Sequence, residues 1–413
     1  MKRILTSLLT LALTALAAEA HTIFNDNVKS LQVVVNGDWR SMPVMRMGTN
    51  DWLYIGFDEL SHTYHRYKYR IEHLETDGQP SEEIFESDFL EGFNDILIDD
   101  FDHSINTNVL YTHYNIRLPN EKCRLRMSGN YRLTVLDEDE NDEKVLEALF
   151  YVVEPLMNVG LSIDTNTDID YNGAHQQVSM ALRYNDVRVT NPEEQIYTVV
   201  WQNGINDVPK SRINVRPNIK NEQGMEWIHN RELIFEAGNE FRKFEMLDVD
   251  RPSMGIDRIR WDGDVFNAWL FTDEPRPNYL TDVDADGAFI IRNSDNSEID
   301  YTCDYVNMHF TLKSPPNDFC PTLNGAWTTD QDKTKYDMTW DEESQTWQTT
   351  LLLKQGYYSY EYLVADSKTK ELRNLPSEGN FFQTENRYQA MVYYKGTGER
   401  TWRLVGYQQV SKD

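Results

Sequence analysis

Cysteine is scarce in this chain, which has only three in 413 residues: Cys123, Cys303 and Cys320. Three cysteines do not make a disulfide framework. None of them accompanies a histidine pair at ligand spacing, so neither a zinc site nor a thiol nucleophile is predicted. In an oxidising compartment Cys303 and Cys320 could close one bridge across a short loop, but unpaired, partly buried thiols are the favoured interpretation.

Catalytic sequence motifs are also missing. The chain has no G-x-S-x-G elbow, H-E-x-x-H motif, P-loop or dinucleotide fingerprint. Carboxylates are so numerous that neighbouring pairs are expected by chance, and none stands out as an acid/base couple. We therefore predict no enzyme, no catalytic residue, no metal site and no cofactor; a divalent-ion-dependent hydrolase with an unrecognised site is the remaining enzymatic alternative.

Basic residues are few relative to acidic ones. Lys and Arg total 40 against 68 Asp and Glu, which gives a formal net charge of -28. Such a surface repels nucleic acid and anionic lipid headgroups, so neither is an expected partner.

Long apolar runs are absent outside the N-terminus. Lys2 and Arg3 precede the apolar segment 4–17, and small residues at 18–20 suit cleavage before His21. This pattern predicts a signal peptide at residues 1–20. No cysteine follows the apolar segment, so we expect an exported periplasmic protein without a lipid anchor and without direct membrane insertion.

Strand patterns are what the chain does contain. Between Asp88 and Pro155, alternating apolar residues occur in 114–118 and 131–135, and an apolar run at 148–153 follows an acidic hairpin. Six or seven such strands before Pro155 are enough for one Ig-like sandwich. Further strand patterns predict an all-β chain of tandem Ig-like antiparallel sandwiches: 21–155, 156–315 and 316–413.

An acidic motif lies in the second predicted unit. Asp282, Asp284, Asp286 and Gly287 match the opening of an EF-hand calcium loop. Position 12 of that loop would be Asn293, where a bidentate glutamate is needed, and no helices flank the segment. A polar turn at a hairpin tip is therefore the favoured interpretation, and a weak calcium site is the alternative.

The last predicted unit combines Asn324-Gly325-Ala326-Trp327 with a tyrosine-rich strand that contains Tyr358, Tyr360 and Tyr362. This pattern resembles the early-set sandwiches related to glycogen-binding modules. Those three tyrosines lie on one face of the strand, and if that face were exposed it would be a stacking platform for sugars. Structural aromatics are the favoured interpretation, and a glycan-binding accessory protein of the cell surface is the alternative function.

A second resemblance spans more of the chain, about residues 28–315. The segments YTHYNIRLPNE (111–121), SGNYRLTVL (128–136) and YVVEP (151–155) occur in this order, and FLEGFND (89–95) precedes them. Together they resemble the first domain of the type IX secretion system plug protein, and LIFEAGNEFRKFE (233–245) extends the similarity.

This resemblance implies a periplasmic plug that docks on a large outer-membrane β-barrel, the type IX translocon, and seals its pore. It does not indicate which residues contact the barrel or what triggers release, so no partner-binding residue is predicted.

Overall fold

Alternating apolar and polar residues produce strands along the whole described part of the chain. The computed structural model describes residues 21–204, 210–315, 320–330, 333–365 and 372–412. The predicted signal peptide, residues 1–20, lies outside these residues. None of the described helices has the length and apolar character needed to cross a membrane.

The first sandwich takes up the chain as far as residue 153. Its strands are β1 (Thr22–Ile23), β2 (Val28–Val35), β3 (Val44–Arg46), β4 (Leu53–Glu59), β5 (Tyr67–Leu74), β6 (Leu90–Gly92), β7 (Ile96–Leu97), β8 (Phe101–His103), β9 (Thr112–Leu118), β10 (Cys123–Leu125), β11 (Gly129–Asp137) and β12 (Glu143–Val153). One sheet has the order β1-β12-β11-β5-β7, and β3 pairs parallel to β12; the facing sheet has the order β2-β4-β9-β8.

The core of this sandwich follows the predicted alternation. Tyr114, Ile116 and Leu118 of β9 are buried, as are Tyr131 and Leu133 of β11. Because side chains alternate across a strand, the same strands point their polar residues away from this core. The facing apolar rows form one continuous cluster, which confirms the predicted β-sandwich fold for this part of the chain.

The second sandwich combines two distant parts of the chain. Its strands are β13 (Asn158–Asp164), β14 (His175–Arg183), β15 (Ile196–Gln202), β16 (Ser211–Ile213), β17 (Ile219–Asn221), β18 (Gly224–Trp227), β19 (Ile234–Glu236), β30 (Arg387–Tyr394) and β31 (Arg403–Ser411). One sheet has the order β13-β14-β18-β17 with β19 beside β14, and the other has the order β16-β15-β30-β31.

The third sandwich lies in the sequence between these two parts. Its strands are β20 (Arg242–Met246), β21 (Ile256–Trp261), β22 (Phe266–Leu270), β23 (Phe289–Ile291), β24 (Tyr305–Leu312), β25 (Pro321–Asn324), β26 (Thr339–Asp341), β27 (Thr346–Lys354), β28 (Gly356–Ala365) and β29 (Leu372–Asn374). In one sheet β28 pairs with β20, β23, β25 and β29; the other has the order β21-β22-β24-β27-β26, with β22 and β24 parallel.

This arrangement differs from the expected division at residue 315. That position falls between β24 and β25, which both belong to the third sandwich, whereas β15 pairs with β30 across the whole intervening segment. The third sandwich is thus inserted between two parts of the second.

Helical segments are short and lie at the ends of strands. The α-helical turns are α1 (Glu86–Phe89), α2 (Pro192–Gln195) and α3 (Ile299–Thr302), and the 3-10 turns are Arg231–Leu233, Ala326–Thr328, Lys333–Tyr336 and Pro376–Glu378.

Candidate functional site

The junction between the first and third sandwiches contains a buried group of charges. Asp58 of β4 is fully buried, and its Oδ2 accepts hydrogen bonds from Lys354 Nζ (2.7 Å) and from Tyr305 Oη (2.7 Å). Its other oxygen, Oδ1, lies 2.6 Å from Nδ1 of His113. We call these four residues the junction hub. Asp58 and His113 come from the first sandwich, and Lys354 and Tyr305 come from the third.

The hub lies where the outer faces of two sheets meet. Asp58 and His113 are opposite each other on neighbouring strands, as are Tyr305 and Lys354. Their side chains point away from the core of their own sandwich, and each pair is buried because the other sandwich covers it. Charges buried in this way require partners, since an unpaired ion in a low-dielectric environment is very costly.

The ionic form of the hub is stabilised from both sides. Burial by itself would raise the pKa of Asp58, but Lys354 and His113 outweigh it and hold the pKa below its ordinary value. The Lys354 ammonium also donates to the carbonyl oxygen of Asp300 (2.6 Å) and lies 4.2 Å from the centre of the Tyr111 ring. Lys354 therefore has three kinds of partner, and they come from two sandwiches.

A second set of contacts fastens the same junction. The carboxylate of Asp304 accepts hydrogen bonds from the backbone N–H groups of Asn108 (2.9 Å) and Val109 (3.1 Å) and from the Asn108 amide (2.6 Å). The N–H of Ile105 donates to the carbonyl of Tyr301 at 2.9 Å. The loop that follows β8 is thereby bonded to the start of β24.

The junction between the first and second sandwiches is mainly apolar. Its buried residues form a separate cluster made of Val153, Val199, Trp201, Met391, Tyr393 and Leu404. Tyr393 Oη donates to Asn130 Oδ1 at 2.8 Å, and Thr401 Oγ1 donates to Glu75 Oε1 at 2.5 Å. Because a continuous apolar contact excludes water, this junction resists separation.

The second and third sandwiches are joined by the chain itself and by side chains. Arg387 of β30 donates through Nε to Asp286 Oδ2 (2.6 Å) and through Nη2 to the Ala285 carbonyl (3.1 Å). Asn239 donates to the Glu378 carbonyl at 3.0 Å. All three pairs of sandwiches are therefore in contact within the described residues.

The acidic motif that resembled a calcium loop is part of this last junction. Each of its three carboxylates has its own protein partner: Lys243 binds Asp282 (2.6 Å), the backbone N–H groups of Phe241 and Asp286 bind Asp284, and Arg387 binds Asp286. Among the described residues no group of His, Cys, Asp and Glu is placed to hold a metal ion. Asp286 and Gly287 both have positive φ, at 50° and 85°, so the Asp-Gly pair forms the turn before β23.

Replacing Asp284 by asparagine is expected to stabilise the protein above neutral pH. Burial, and then repulsion from Asp286, raises the pKa of Asp284 from 3.8 to about 7. Between these pH values the folded chain holds a proton that the unfolded chain has released, so stability falls as the pH rises through this window.

Asparagine removes that loss but keeps only one acceptor oxygen for the two backbone N–H groups. We therefore expect a gain of about 1–2 kcal/mol near pH 8 and a loss of about 1 kcal/mol below about pH 4. Urea denaturation at a series of pH values measures both. Asp282→Asn, at a carboxylate paired with Lys243 on the surface, is the matched control. A destabilised Asp284→Asn protein at high pH would contradict the prediction.

The tyrosine-rich strand β28 has no exposed sugar-stacking face. Tyr358, Tyr360 and Tyr362 are buried at 2%, 3% and 1% exposure, within the core of the third sandwich. Tyr360 Oη and Tyr362 Oη donate to the same oxygen of Asp273, at 2.8 and 2.6 Å. The structural interpretation of these tyrosines is confirmed, and they do not provide a platform for glycans.

The cysteines are free thiols in the structure. Cys123 and Cys303 are buried, whereas Cys320 is exposed and donates to the Met338 carbonyl at 2.8 Å. Burial raises the pKa of both Cys123 and Cys303 to about 12, which disfavours the thiolate form at neutral pH. The bridge between Cys303 and Cys320 is not formed.

Solved structures and family models show what this architecture is related to. A crystal structure of a hypothetical protein from Parabacteroides merdae ATCC 43184 superposes with a TM-score of 0.91 at 35% identity, covering 95% of this chain and 99% of that chain. The family model described as the type 9 secretion system plug protein 1st domain matches residues 28–154, the extent of the first sandwich. The first sandwich is therefore a type IX secretion system plug first domain. No curated protein matches it.

This domain points to a plug-like role in type IX secretion and to association with a component of that system in the cell envelope. The junction hub was not predicted from the sequence. No sequence feature pointed to it, because Asp58 and Glu59 form an ordinary acidic pair at the end of β4.

Proposed function

We propose that this protein is a periplasmic plug that docks on the inner mouth of the type IX translocon barrel and seals its pore when no substrate passes. The observation that carries the proposal is the match of residues 28–154 to the first domain of the plug family. No reaction is required for this role, and the junctions described above are built from structural contacts.

The contacts between the three sandwiches support the proposal. A plug must keep its shape against the opening that it fills, because any hinge would let solutes past. The hub, the apolar junction and the Arg387 contacts hold the three sandwiches against one another. The strong negative charge is a further support, because it keeps the protein off anionic lipid surfaces. The expected partner is then another protein, bound through an interface of standard size, about 1,200–2,000 Å².

Deleting the gene is expected to make the outer membrane leaky while the translocon is present. Uptake of a normally excluded dye, together with sensitivity to a large antibiotic, measures the leak. The matched control is a double deletion of plug and barrel, which should restore the barrier because the open pore is gone. Unchanged permeability in the single deletion, with the barrel still in the membrane, would contradict the proposal.

A further inference from the structure

The two most exposed phenylalanines of the described chain lie in one short segment of the first sandwich. Phe85 is 73% exposed and Phe93 is 78% exposed. Between them Phe89 and Leu90 are buried in the core, and Ile84 is buried just before them. The segment thus anchors itself with three apolar residues and still holds two aromatic rings out in water. The packing of the segment does not explain why these two rings are exposed.

The segment is held in a fixed shape next to both rings. Asn94, the neighbour of Phe93, donates to Glu86 Oε2 (2.9 Å), and Glu86 is the neighbour of Phe85. Asn94 also exchanges two hydrogen bonds with the backbone of Ile71 in β5, at 2.7 and 3.1 Å. These bonds hold the neighbours of the two phenylalanines against each other and tie the segment to the main sheet.

Arg400, from the loop between β30 and β31 of the second sandwich, supports the same segment from the side. It donates through Nη2 to Asp88 Oδ2 (2.7 Å) and through Nη1 to the Glu83 carbonyl (3.2 Å). Its guanidinium carbon lies 6.0 Å from the centre of the Phe85 ring. The exposed segment is therefore pre-organised by two sandwiches, which reduces the entropy lost on binding.

The segment that carries the two rings is strongly acidic. Residues 82–95 contain six carboxylates and neither lysine nor arginine. Two of the carboxylates are paired, Asp88 with Arg400 and Asp95 with Arg70. Of the described residues, no lysine, arginine or histidine forms an ion pair with the other four, which are exposed: Glu82, Glu83, Glu86 and Glu91.

We propose that this aromatic–acidic surface, formed by Phe85, Phe93 and those four glutamates, is the contact through which the plug binds its barrel. The proposal rests on the proposed function. The two phenyl rings enter apolar pockets on the partner protein, and basic residues around those pockets meet the four carboxylates. Buried aromatic anchors with a charged rim are the usual composition of a strong and specific protein contact.

The charge favours a protein over a lipid surface as the occupant. Exposed phenylalanines alone would also suit insertion into a bilayer interface, but membrane-binding segments carry Lys and Arg toward anionic headgroups. Within residues 82–95 every charged side chain is acidic, and Arg400 and Arg70, which contact the segment, are each paired with one of its carboxylates. A basic rim on the partner would also speed association by electrostatic steering, an effect that salt weakens.

The test is recovery of the barrel with a tagged full-length plug from solubilised outer membranes. The double variant Phe85→Ser/Phe93→Ser is expected to retain about tenfold less barrel, or still less, than the wild type. The matched control is Phe271→Ser, at a phenylalanine 61% exposed on the third sandwich, which should retain wild-type amounts. Circular dichroism confirms that all three proteins are folded, which is expected because the replaced rings are in water.

A charge-reversed variant, Glu82→Lys/Glu83→Lys/Glu86→Lys/Glu91→Lys, tests the rim separately. It is expected to bind about tenfold more weakly at low salt, with a smaller difference at high salt. Wild-type recovery by the double phenylalanine variant overturns the docking surface and leaves the proposed function standing. Failure of the wild type itself to recover a barrel overturns both. Binding to phosphatidylethanolamine–phosphatidylglycerol vesicles that depends on Phe85 and Phe93 also overturns the surface, because a lipid is then the occupant.

Discussion

Replacing Lys354 by methionine is expected to lower the free energy of unfolding by about 3–5 kcal/mol. Methionine keeps most of the side-chain volume but removes the ammonium group. Asp58 is then left charged and fully buried, with its hydrogen bonds to Tyr305 and His113 as the remaining compensation. Chemical denaturation followed by tryptophan fluorescence measures the change in the free energy of unfolding.

Two further variants separate the buried pair from a general effect of losing a lysine. Lys122→Met breaks an exposed ion pair with Asp99 (3.0 Å) and should cost at most about 1 kcal/mol. Asp58→Asn/Lys354→Met removes both charges, and we expect it to be more stable than Lys354→Met alone because no buried ion is left unpaired. Equal destabilisation by Lys354→Met and Lys122→Met would show that the hub charges are not buried as described.

Because of the hub, the stability of the junction between the first and third sandwiches also depends on pH. The pKa of Asp58 is lower in the folded protein than the ordinary 3.8, so its contribution to stability is complete above about pH 4 and is lost as the pH falls through the folded value. At neutral pH Asp58 is therefore ionised, and its ion pair with Lys354 holds the first sandwich against the third.

Strand patterns predicted the fold of the first sandwich well, because its elements follow one another along the chain. The alternation at 114–118 and 131–135 fixes which side chains enter the core, and the structure places β9 and β11 accordingly. Alternation reports how each strand is buried, but it carries no information about which strand lies beside it. The pairing of β15 with β30 joins residues nearly two hundred positions apart, so the insertion of the third sandwich was outside the reach of local patterns.

The junction hub could not be predicted for a related reason. In β4 the residues Leu53, Ile55 and Phe57 face the core, and the alternation assigns Asp58 to the opposite face. From the pattern of this strand alone, that face is predicted to be exposed to solvent. It becomes buried only because a sheet from residues 305–354 covers it, and no pattern near Asp58 records that contact.

Replacing Tyr358 by alanine is expected to lower the free energy of unfolding by about 3–5 kcal/mol, because it leaves a cavity in the core of the third sandwich. The ring stacks on Phe244 at 5.1 Å and on Phe289 at 5.6 Å, and its hydroxyl donates to the Lys354 carbonyl at 2.7 Å. Tyr357→Ala, on the other face of the same strand, removes a half-buried ring and should cost about 1 kcal/mol.

Variants of Tyr358 also decide whether this tyrosine is a core residue or part of a sugar-binding platform. A platform residue can be removed with little effect on folding and a large effect on glucan mobility shifts, whereas a core residue behaves in the opposite way. We expect Tyr358→Ala to shift the urea midpoint strongly, and Tyr358→Phe, which keeps the ring, to remain close to the wild type. A stably folded Tyr358→Ala protein that had lost glucan binding shown by the wild type would contradict the burial of this strand. That result would favour the glycan-binding alternative for the third sandwich.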